Sequence, residues 1–332
     1  MPKGKILVTG GAGYIGSHTV KNLLKKGYRV LVIDNLSRGF IEPIKILQRK
    51  FKNLEFIRAD LNNAQQLDGI FTDKEIDSVM HFAALVSVEE SMKCPERYHQ
   101  ENYLNSINLV DAMSKHGVQK IIFSSSCVVY GTPKYTPIDE NHPTNPQSPY
   151  GQTKLDFEKY LSKVNNLKHI IFRYFNVGGS DIDGNLGKSS ITNEDLISNI
   201  IKVGLGQNNI FTIYGNDYDT SDGTTIRDFL HVEDISRAHI LALEHLDNYS
   251  GEIFNLGSGS GFTVQGVVNK ASEIIGEKIN IKFAARRPGD IPISVAIAQK
   301  AKDSLKWEPQ YSDLDIILKT DWQWRKKHPH GY

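Results

Sequence analysis

The sequence predicts an α/β fold in which a doubly wound parallel sheet is joined to a second, smaller α/β domain. Short apolar runs alternate with helical patterns from residue 5 to about residue 175. A glycine-rich turn follows the first apolar run and opens the first helix. Strands separated by helices of this length are connected by right-handed crossovers, which produce a parallel sheet covered on both faces.

Six apolar runs are predicted to form the strands of this sheet. They lie at Lys5–Thr9, Arg29–Ile33, Leu54–Arg58, Ser78–Phe82, Lys120–Ser124 and His169–Phe175. The first helix carries Val20 and Leu24 on its apolar face and is expected to end at Gly27. Its place between the first two runs is that of a crossover helix.

Two later helices are predicted from spacing and position. Apolar residues recur at steps of three from Leu104 to Val110, which places an apolar stripe on a helix that runs to about His116. Another helix is expected from about Tyr150. Between them, residues 131–149 contain five prolines and are predicted to form a long ordered loop, a kind of segment that is often functional.

The alternating pattern breaks after residue 177, where we place a domain boundary. The first predicted domain covers residues 1–177, and the second covers residues 178–332, where turns mix with short apolar runs. Segments such as Phe229–Val232 and Ile253–Leu256 are expected to return to the first domain. At 332 residues, the chain is long enough for about two domains.

The composition predicts a soluble, cytoplasmic protein that binds neither nucleic acid nor a membrane. Charged residues make up 23% of the chain and the formal net charge is +1, so no strongly basic surface is expected. No apolar run approaches the roughly 18 residues of a membrane span, and the first predicted strand begins too early for a signal peptide. The two cysteines, Cys94 and Cys127, imply no disulfide framework. His328 and His330 lack the spaced partners of a metal site.

The glycine-rich turn has the spacing of a dinucleotide-binding fingerprint, which specifies the predicted sheet as a Rossmann fold. Gly10, Gly13 and Gly16 lie where glycines let backbone N–H groups approach a pyrophosphate. Asp34 ends the second strand 18 residues after Gly16, close to the place of the carboxylate that accepts from the adenosine ribose. A carboxylate repels a 2′-phosphate, so NAD is favoured over NADP. Arg38 is the counter-argument, since a nearby arginine could receive that phosphate.

Tyr150 and Lys154 form the candidate catalytic pair. Four residues apart, they face the same side of the predicted helix. A tyrosine is a poor base at neutral pH because its pKa is about 10. A lysine ammonium and an oxidised nicotinamide, both cationic, would favour the phenolate and lower that pKa. Such a base is suited to taking a proton from a sugar hydroxyl while hydride leaves its carbon.

Motifs along the whole chain keep the order of a known family. The first set is Thr9 to Gly16, Asp34-Asn35-Leu36, His81-Phe82-Ala83-Ala84, Phe123-Ser124-Ser125-Ser126, Tyr150 with Lys154, and Arg173-Tyr174-Phe175-Asn176. This set resembles the extended short-chain dehydrogenases/reductases. A second set narrows the resemblance to the UDP-glucose 4-epimerase family: Gly215 to Tyr218, Asp222 to Thr224, Arg227 to Val232, Arg286 to Asp290, and His328 to Tyr332.

The resemblance implies an enzyme that epimerises UDP-hexoses at C4 through a 4-keto sugar, with tightly held NAD as cofactor. Tyr150 would remove the proton of the 4-hydroxyl, and Ser126 would hydrogen-bond the same sugar oxygen and relay the proton. Lys154 would bind the nicotinamide ribose and lower the pKa of Tyr150. Hydride would leave C4 and return to the opposite face of the sugar, so no net oxidation would occur.

The resemblance also implies which residues bind the cofactor and the substrate, and it implies a homodimer built from the helices near residues 98–116 and after Tyr150. Two arginines far apart in sequence can converge on a diphosphate through charge-assisted hydrogen bonds. The cofactor positions are Gly10, Gly13, Tyr14, Ile15, Gly16, Asp34, Asn35, Asp60, Leu61, Phe82, Ala83, Ala84, Asn102, Tyr150, Lys154 and Phe175. The UDP positions are Asn176, Tyr214, Arg227, Arg287 and Asp290.

Four positions depart from the family pattern. Val86 stands where these epimerases can have a lysine, and Phe229 stands where a tyrosine is common. Asp195, in the run Asn193 to Leu196, stands among positions that are usually neutral and polar. These three changes are expected to alter nucleotide affinity rather than the reaction. Ser294 stands where some relatives have a bulky tyrosine in the hexose pocket, so we hypothesise activity on UDP-GlcNAc and UDP-GalNAc as well as on UDP-glucose and UDP-galactose.

Three alternatives stay open at this point. A nucleotide-sugar 4,6-dehydratase needs an acid and a base beside its catalytic serine or threonine, whereas Ser126 is followed by Cys127 and Val128. Other sugar epimerases and decarboxylases of the same class are a second alternative. A non-catalytic NAD-sensing regulator is a third, although such a protein has no need of Tyr150 and Lys154.

Overall fold

A seven-stranded sheet forms the centre of the computed structural model, which describes residues 4–189, 195–287 and 289–332. With those of the smaller sheets, the strands are β1 Lys5–Thr9, β2 Arg29–Asp34, β3 Leu54–Arg58, β4 Ser78–His81, β5 Lys120–Ser126, β6 Lys168–Tyr174, β7 Asn176–Gly178, β8 Phe211–Tyr214, β9 Ile226–His231, β10 Glu252–Leu256, β11 Gly261–Thr263, β12 Ile281–Ala284 and β13 Ile293–Ser294. All six predicted strands are present.

The helices connect these strands in the alternation that the sequence predicts for the first half of the chain. They are α1 Tyr14–Lys25, α2 Ile41–Lys50, α3 Ala64–Asp73, α4 Val88–Lys93, α5 Pro95–Tyr98, α6 Asn105–Lys115, α7 Pro149–Leu161, α8 Leu196–Gly204, α9 Val232–His245, α10 Val264–Ile275, α11 Gln299–Leu305 and α12 Leu314–Lys327. Within the described parts of the chain, no helix is long and apolar enough to cross a membrane.

The large sheet is parallel throughout, with strand order β10-β6-β5-β4-β1-β2-β3. Successive residues of β1 point to opposite faces, so Ile6 and Val8 belong to one core and Leu7 to the other. The first core includes residues of α1, α2 and α9, and the second includes residues of α3, α6 and α7. The prediction of a doubly wound parallel sheet is confirmed.

The second half of the chain builds two small sheets and a core of its own. In one sheet β9 pairs with β7, β11 and β13, and in the other β8 pairs with β12. Helices α8, α10 and α12 contribute Ile200, Val267 and Ile317 to a third hydrophobic core. The division into two domains at residue 177 stays a prediction.

The segments expected to return to the first domain behave differently from one another. Residues Ile253–Leu256 do so, because β10 pairs with β6 at the edge of the large sheet. Residues Phe229–His231 pair with β7 rather than with the large sheet, but Leu230 packs in the first core, so their return to the first domain stays a prediction. The helix α9, which begins at Val232, packs against α1.

The apolar stripe predicted on the helix before residue 116 is only partly correct, since Val110 is fully buried but Leu104 and Ile107 are not. The segment begins as a π-helical turn, His99–Leu104, and only then continues as α6. Leu104 is exposed and Ile107 is half-buried, whereas Leu109 and Met113 are fully buried. The extra residue in a π-helical turn rotates the side chains before it relative to those after it. The predicted stripe therefore lies partly on the outer surface.

Candidate active site

A cavity of about 500 Å³ lies at the carboxyl ends of the large-sheet strands, a size typical of small-molecule sites. Ligands bind at this edge of open α/β sheets, where the strand order reverses, and here the reversal falls between β1 and β4. Fifteen of the sixteen predicted cofactor residues line the cavity: Gly10, Gly13, Tyr14, Ile15, Gly16, Asp34, Asn35, Asp60, Leu61, Phe82, Ala83, Ala84, Tyr150, Lys154 and Phe175.

The glycine-rich turn fits the pyrophosphate of a dinucleotide. Gly10 has φ +68°, and a Cβ there would lie 2.6 Å from the backbone nitrogen of Ala83. A Cβ on Gly16 would overlap the carbonyl oxygen of Gly10. Gly13 caps the start of α1 and has no side chain with which to satisfy the free N–H groups of the first turn. These N–H groups can therefore bind phosphate oxygens.

Asp34 is held in position at the end of β2 by the backbone. Its carboxylate accepts hydrogen bonds from the N–H groups of Ala12, at 3.0 Å, and Leu36, at 2.8 Å. Burial raises the pKa of Asp34, and these two hydrogen bonds oppose that effect. Next to it, Asn35 donates to Asp60 at 2.8 Å, so that two strand ends are joined beside the predicted ribose site.

The candidate catalytic residues lie on β5 and on the first turns of α7. Ser148 caps this helix by accepting from the N–H of Gly151 at 3.2 Å. Tyr150 and Lys154 are both buried and both line the cavity, as does Ser126 at the end of β5. The Nζ of Lys154 donates to the carbonyl oxygen of Ser124 at 2.8 Å, which fixes the helix against the strand.

The electrostatics of Tyr150 differ from the sequence expectation. Burial raises the pKa of Tyr150, and a hydrogen bond with Ser126 opposes this rise. Burial also lowers the pKa of Lys154 to about 7, although the Glu158 carboxylate favours the charged form. In the chain by itself, Lys154 therefore does not bring about the expected lowering of the Tyr150 pKa. Both groups are removed from water, and the ammonium is bonded to a carbonyl oxygen.

A buried ion pair fixes α7 to the sheet beneath the catalytic residues. Glu158, one turn after Lys154, accepts from the Nη2 of Arg173 at 2.6 Å and from the hydroxyl of Ser125 at 2.5 Å. The side chains of Glu158 and Arg173 are only 3% and 5% exposed. Sequence reasoning missed this network, because nothing in the local pattern distinguishes Glu158 from the exposed charges of an ordinary helix.

Four of the predicted UDP residues lie together, although they are far apart in sequence. The Nε of Arg287 donates to Asp290 at 3.1 Å, and Arg227 lies 3.9 Å from the other carboxylate oxygen of Asp290. The guanidinium of Arg287 is 4.7 Å from the centre of the Tyr214 ring. Ser294 pairs with Arg227 in the register of β13 and β9.

This arginine cluster lies beside the cavity. Of the five predicted UDP residues, all within the described chain, Asn176 lines the cavity and the four clustered residues do not. The side chain of Asn176 donates to the carbonyl oxygen of Asp228 at 3.0 Å, which connects the cavity wall to the strand of Arg227. The charge of Arg227 also acts on Cys127, which follows Ser126. The cluster is therefore adjacent to the catalytic end of the cavity.

The family of the chain is decided by its match to a family model described as the NAD dependent epimerase/dehydratase family, over residues 6–257. The chain belongs to this family. Three predictions are confirmed: the protein is an enzyme, NAD is its cofactor, and it resembles the UDP-glucose 4-epimerases.

Individual members of the NAD dependent epimerase/dehydratase family resemble the chain over nearly its whole length. A UDP-glucose 4-epimerase of Halalkalibacterium halodurans is 43% identical, over 98% of this chain and 97% of that protein. The crystal structure of UDP-glucose 4-epimerase from Bifidobacterium longum in complex with NAD+ and UDP has a TM-score of 0.94 at 36% identity, covering 99% and 100% of the two chains. The UDP-Glc/GlcNAc 4-epimerase from Campylobacter jejuni has a TM-score of 0.86 at 38% identity, covering 98% and 99%.

Asn102 is the one predicted cofactor residue that lies outside the described cavity wall. It is 3% exposed and is not part of the described cavity wall. Its side chain accepts from the N–H of Leu85 at 2.8 Å and donates to the carbonyl oxygen of Leu85 at 2.9 Å. Asn102 therefore holds the backbone next to the cavity-lining Ala84 and does not itself line the cavity.

The departures from the epimerase pattern have clear structural settings. Val86 lines the cavity and is 55% exposed, so an apolar side chain stands at its mouth. Phe229 lines the cavity and is 3% exposed. Asp195 caps α8 by accepting from the N–H of Ser198 at 2.9 Å, and it forms an ion pair with Lys188. Asn193, Glu194 and Pro288, named in the sequence motifs, lie outside the described residues.

Proposed function

We propose that this protein interconverts UDP-glucose and UDP-galactose by inverting C4 of the hexose. One observation carries the proposal: Tyr150 and Ser126 line the same cavity as the glycine-rich turn, and the cluster of Arg227 and Arg287 lies next to it. Such a site can bind the sugar by its diphosphate and remove a proton from its hydroxyl. The UDP-glucose 4-epimerases that resemble the chain over nearly its full length support the same proposal.

Each group of the site has a defined task in this reaction. NAD, when bound, accepts hydride from C4 and returns it, so that no external oxidant is consumed. Tyr150 takes the proton of the 4-hydroxyl, and Ser126 hydrogen-bonds the same oxygen. Arg227 and Arg287 bind the diphosphate through charge-assisted hydrogen bonds. If the hexose is held mainly through its UDP group, the keto ring can turn and present its opposite face.

The experiment that tests the proposal uses purified protein without added NAD. UDP-galactose and, separately, UDP-GalNAc are incubated with the protein, and the products are identified by proton NMR. We expect UDP-glucose from the first substrate. Accumulation of a 4-keto-6-deoxy sugar would contradict the proposal, and so would unchanged substrate after NAD has been supplied.

The 4,6-dehydratase alternative is disfavoured by the residues beside Ser126. Dehydration requires an acid and a base at this place. Burial raises the pKa of Cys127 to about 12, so its thiol is unsuited to exchanging a proton near neutral pH. Val128 carries no ionisable group. The residues following Ser126 are therefore not suited to eliminating water.

We also infer that the hexose site accepts 2-acetamido sugars. Ser294 is half-buried and lies beside Arg227 in the small sheet, so a small side chain stands next to the arginine cluster. The Campylobacter jejuni protein, which is named for both kinds of sugar, resembles the chain over nearly its full length. UDP-GlcNAc should therefore form from UDP-GalNAc in the NMR experiment.

Replacing Ser294 with tyrosine tests this inference. A tyrosine would fill the space that the acetamido group needs, so Ser294→Tyr should abolish activity on UDP-GalNAc and spare activity on UDP-galactose. The ratio of kcat/KM for the two substrates is the measurement, and the galactose activity serves as the internal control. Equal loss of both activities would show that the residue does not shape the acetamido pocket.

We further propose a homodimer located in the cytoplasm. Leu104 is 37% exposed and Ile107 is half-buried on the outer side of the segment that leads into α6, so this segment offers two apolar side chains to a second subunit. Two-fold dimers are the commonest closed assembly. Sedimentation velocity on the wild type and on Leu104→Glu would test the dimer, and a monomeric wild type would contradict it.

A further inference from the structure

Arg38 and Glu90 lie on opposite sides of the predicted cofactor cleft and are bonded to each other. Arg38 follows β2, on the side of Asp34, and Glu90 lies in α4, after β4. Both residues line the cavity, and the Nη2 of Arg38 donates to Glu90 at 2.6 Å. Because β1 lies between β2 and β4 in the sheet, this bond joins the segments that follow β2 and β4, on either side of the glycine-rich turn.

Glu90 is fixed in place by several neighbours. Its other carboxylate oxygen accepts from the hydroxyl of Tyr98 at 3.1 Å, and Arg97 donates to the oxygen that Arg38 uses, at 3.2 Å. The N–H of Glu90 donates to the capping hydroxyl of Ser87 at 3.0 Å. Tyr98 is fully buried, so the carboxylate is anchored to the interior of the protein on its own side of the cleft.

The anchor of Glu90 also contacts the candidate catalytic residue. The ring of Tyr98 meets the ring of Tyr150 edge to face, with the centroids 6.3 Å apart. The side chains of Arg38 and Glu90 are 26% and 27% exposed, so water reaches the pair only in part. A partly shielded, charge-assisted bond is stronger than a fully exposed one.

We propose that the Arg38–Glu90 ion pair, here called the clasp, retains NAD by closing the cleft over the bound dinucleotide. The cofactor can leave only after the clasp has opened. Val86, at the mouth of the same cavity, brings no positive charge to the cofactor, whereas these epimerases can have a lysine there. Retention of NAD therefore depends more on the clasp in this chain than in a relative with that lysine. Retention suits a reaction without net oxidation, but the inference concerns cofactor release and does not depend on which sugar is converted.

The proposal is tested by the rate at which the holoenzyme releases NAD. Released NAD is captured by an excess of an alcohol dehydrogenase with ethanol, and NADH formation is followed by absorbance. Breaking a charge-assisted bond of this kind should accelerate release roughly tenfold in Arg38→Gln and in Glu90→Gln. The double variant should release NAD no faster than either single variant, because all three lack the same bond.

Two controls separate the clasp from other causes. The exposed ion pair between Lys25 and Asp183 joins α1 to the segment after β7 at 2.8 Å, and neither residue lines the described cavity. Asp183→Asn should therefore leave the release rate unchanged. Raising the salt concentration should accelerate release from the wild type more than from Arg38→Gln, because the variant lacks the Arg38–Glu90 pair that salt screens.

The sign of the Glu90 effect distinguishes the clasp from direct binding of phosphate by Arg38. If Arg38 acted only by attracting the cofactor, removing the neighbouring carboxylate would slow release. Slower or unchanged release from Glu90→Gln would therefore overturn the proposal, and so would additive effects in the double variant. If Glu90→Gln does not fold, Glu90→Asp replaces it: this variant keeps the negative charge but is too short for the 2.6 Å bond, so the clasp predicts faster release and direct binding by Arg38 predicts an unchanged rate.

Discussion

Replacing Tyr150 with phenylalanine is expected to lower kcat for UDP-galactose by about 10²- to 10⁴-fold, the usual contribution of a general acid–base group. The ring, which packs against Tyr98, is kept, and only the hydroxyl that exchanges the sugar proton is lost. NAD should remain bound, because the glycine-rich turn and the other predicted cofactor residues are unchanged. The measurements are kcat by a coupled assay and the NAD content of the purified protein.

Tyr160→Phe is the matched control for this prediction. Tyr160 lies on the same helix, its hydroxyl reaches only Asp111 at 3.5 Å, and it is not part of the described cavity wall. Its kcat should equal that of the wild type. If Tyr150→Phe kept a tenth or more of kcat, Tyr150 would not be the base. If it lost NAD together with activity, the loss would reflect the fold rather than the chemistry.

The buried setting of Tyr150 explains why the chain alone does not produce a strong base. Burial raises the pKa of Tyr150, and burial also lowers the pKa of Lys154 to about 7. Burial therefore disfavours the charged form of Lys154, the form that would favour the phenolate. A positive charge brought into the cavity next to the phenol would shift the balance towards the phenolate. Proton removal is thus coupled to an occupied cofactor site.

The sequence predicted the parts of the fold that depend on local patterns. Buried parallel strands are continuous apolar runs, so Lys5–Thr9 was predicted with the bounds that the structure has. The bounds of Leu54–Arg58 were also correct, although this edge strand is only partly buried. Glycine spacing likewise predicted the turn before α1. The strand pairing of β9 was not predictable, since the run Phe229–Val232 is as apolar as a large-sheet strand. Its partners β7, β11 and β13 are set by tertiary contacts.

The candidate site, too, was predictable only where local motifs identify its residues. Residues identified by motif, such as Gly10, Tyr150 and Lys154, line the cavity as expected. Asn102 belongs to the same set by resemblance, but its amide is bonded to the backbone of Leu85. Ion pairs between distant residues have no sequence signal at all. Glu158 and Arg173, like the two residues of the clasp, are recognised only once the fold brings them together.

Replacing Glu158 with glutamine is expected to lower the free energy of unfolding by about 3–5 kcal/mol, the usual cost of removing one partner of a buried ion pair. Burial opposes the charge on Arg173, but Glu158 outweighs this effect and raises the arginine pKa. The guanidinium would remain charged in Glu158→Gln, with no anion to compensate it. Urea denaturation, followed by circular dichroism, gives the free energy.

Glu89→Gln is the control for this stability prediction. Glu89 forms an equally short ion pair with Lys93, at 2.6 Å, but the two side chains are 81% and 69% exposed. Its loss should leave the free energy of unfolding close to that of the wild type, since exposed helical pairs contribute little. A cost below about 1 kcal/mol for Glu158→Gln would mean that Arg173 finds other partners. If the cost is as large as expected, Glu158→Gln should also lose activity. The bonds of Glu158 to Ser125 and Arg173 hold the helix that carries Tyr150 and Lys154 against β5 and β6.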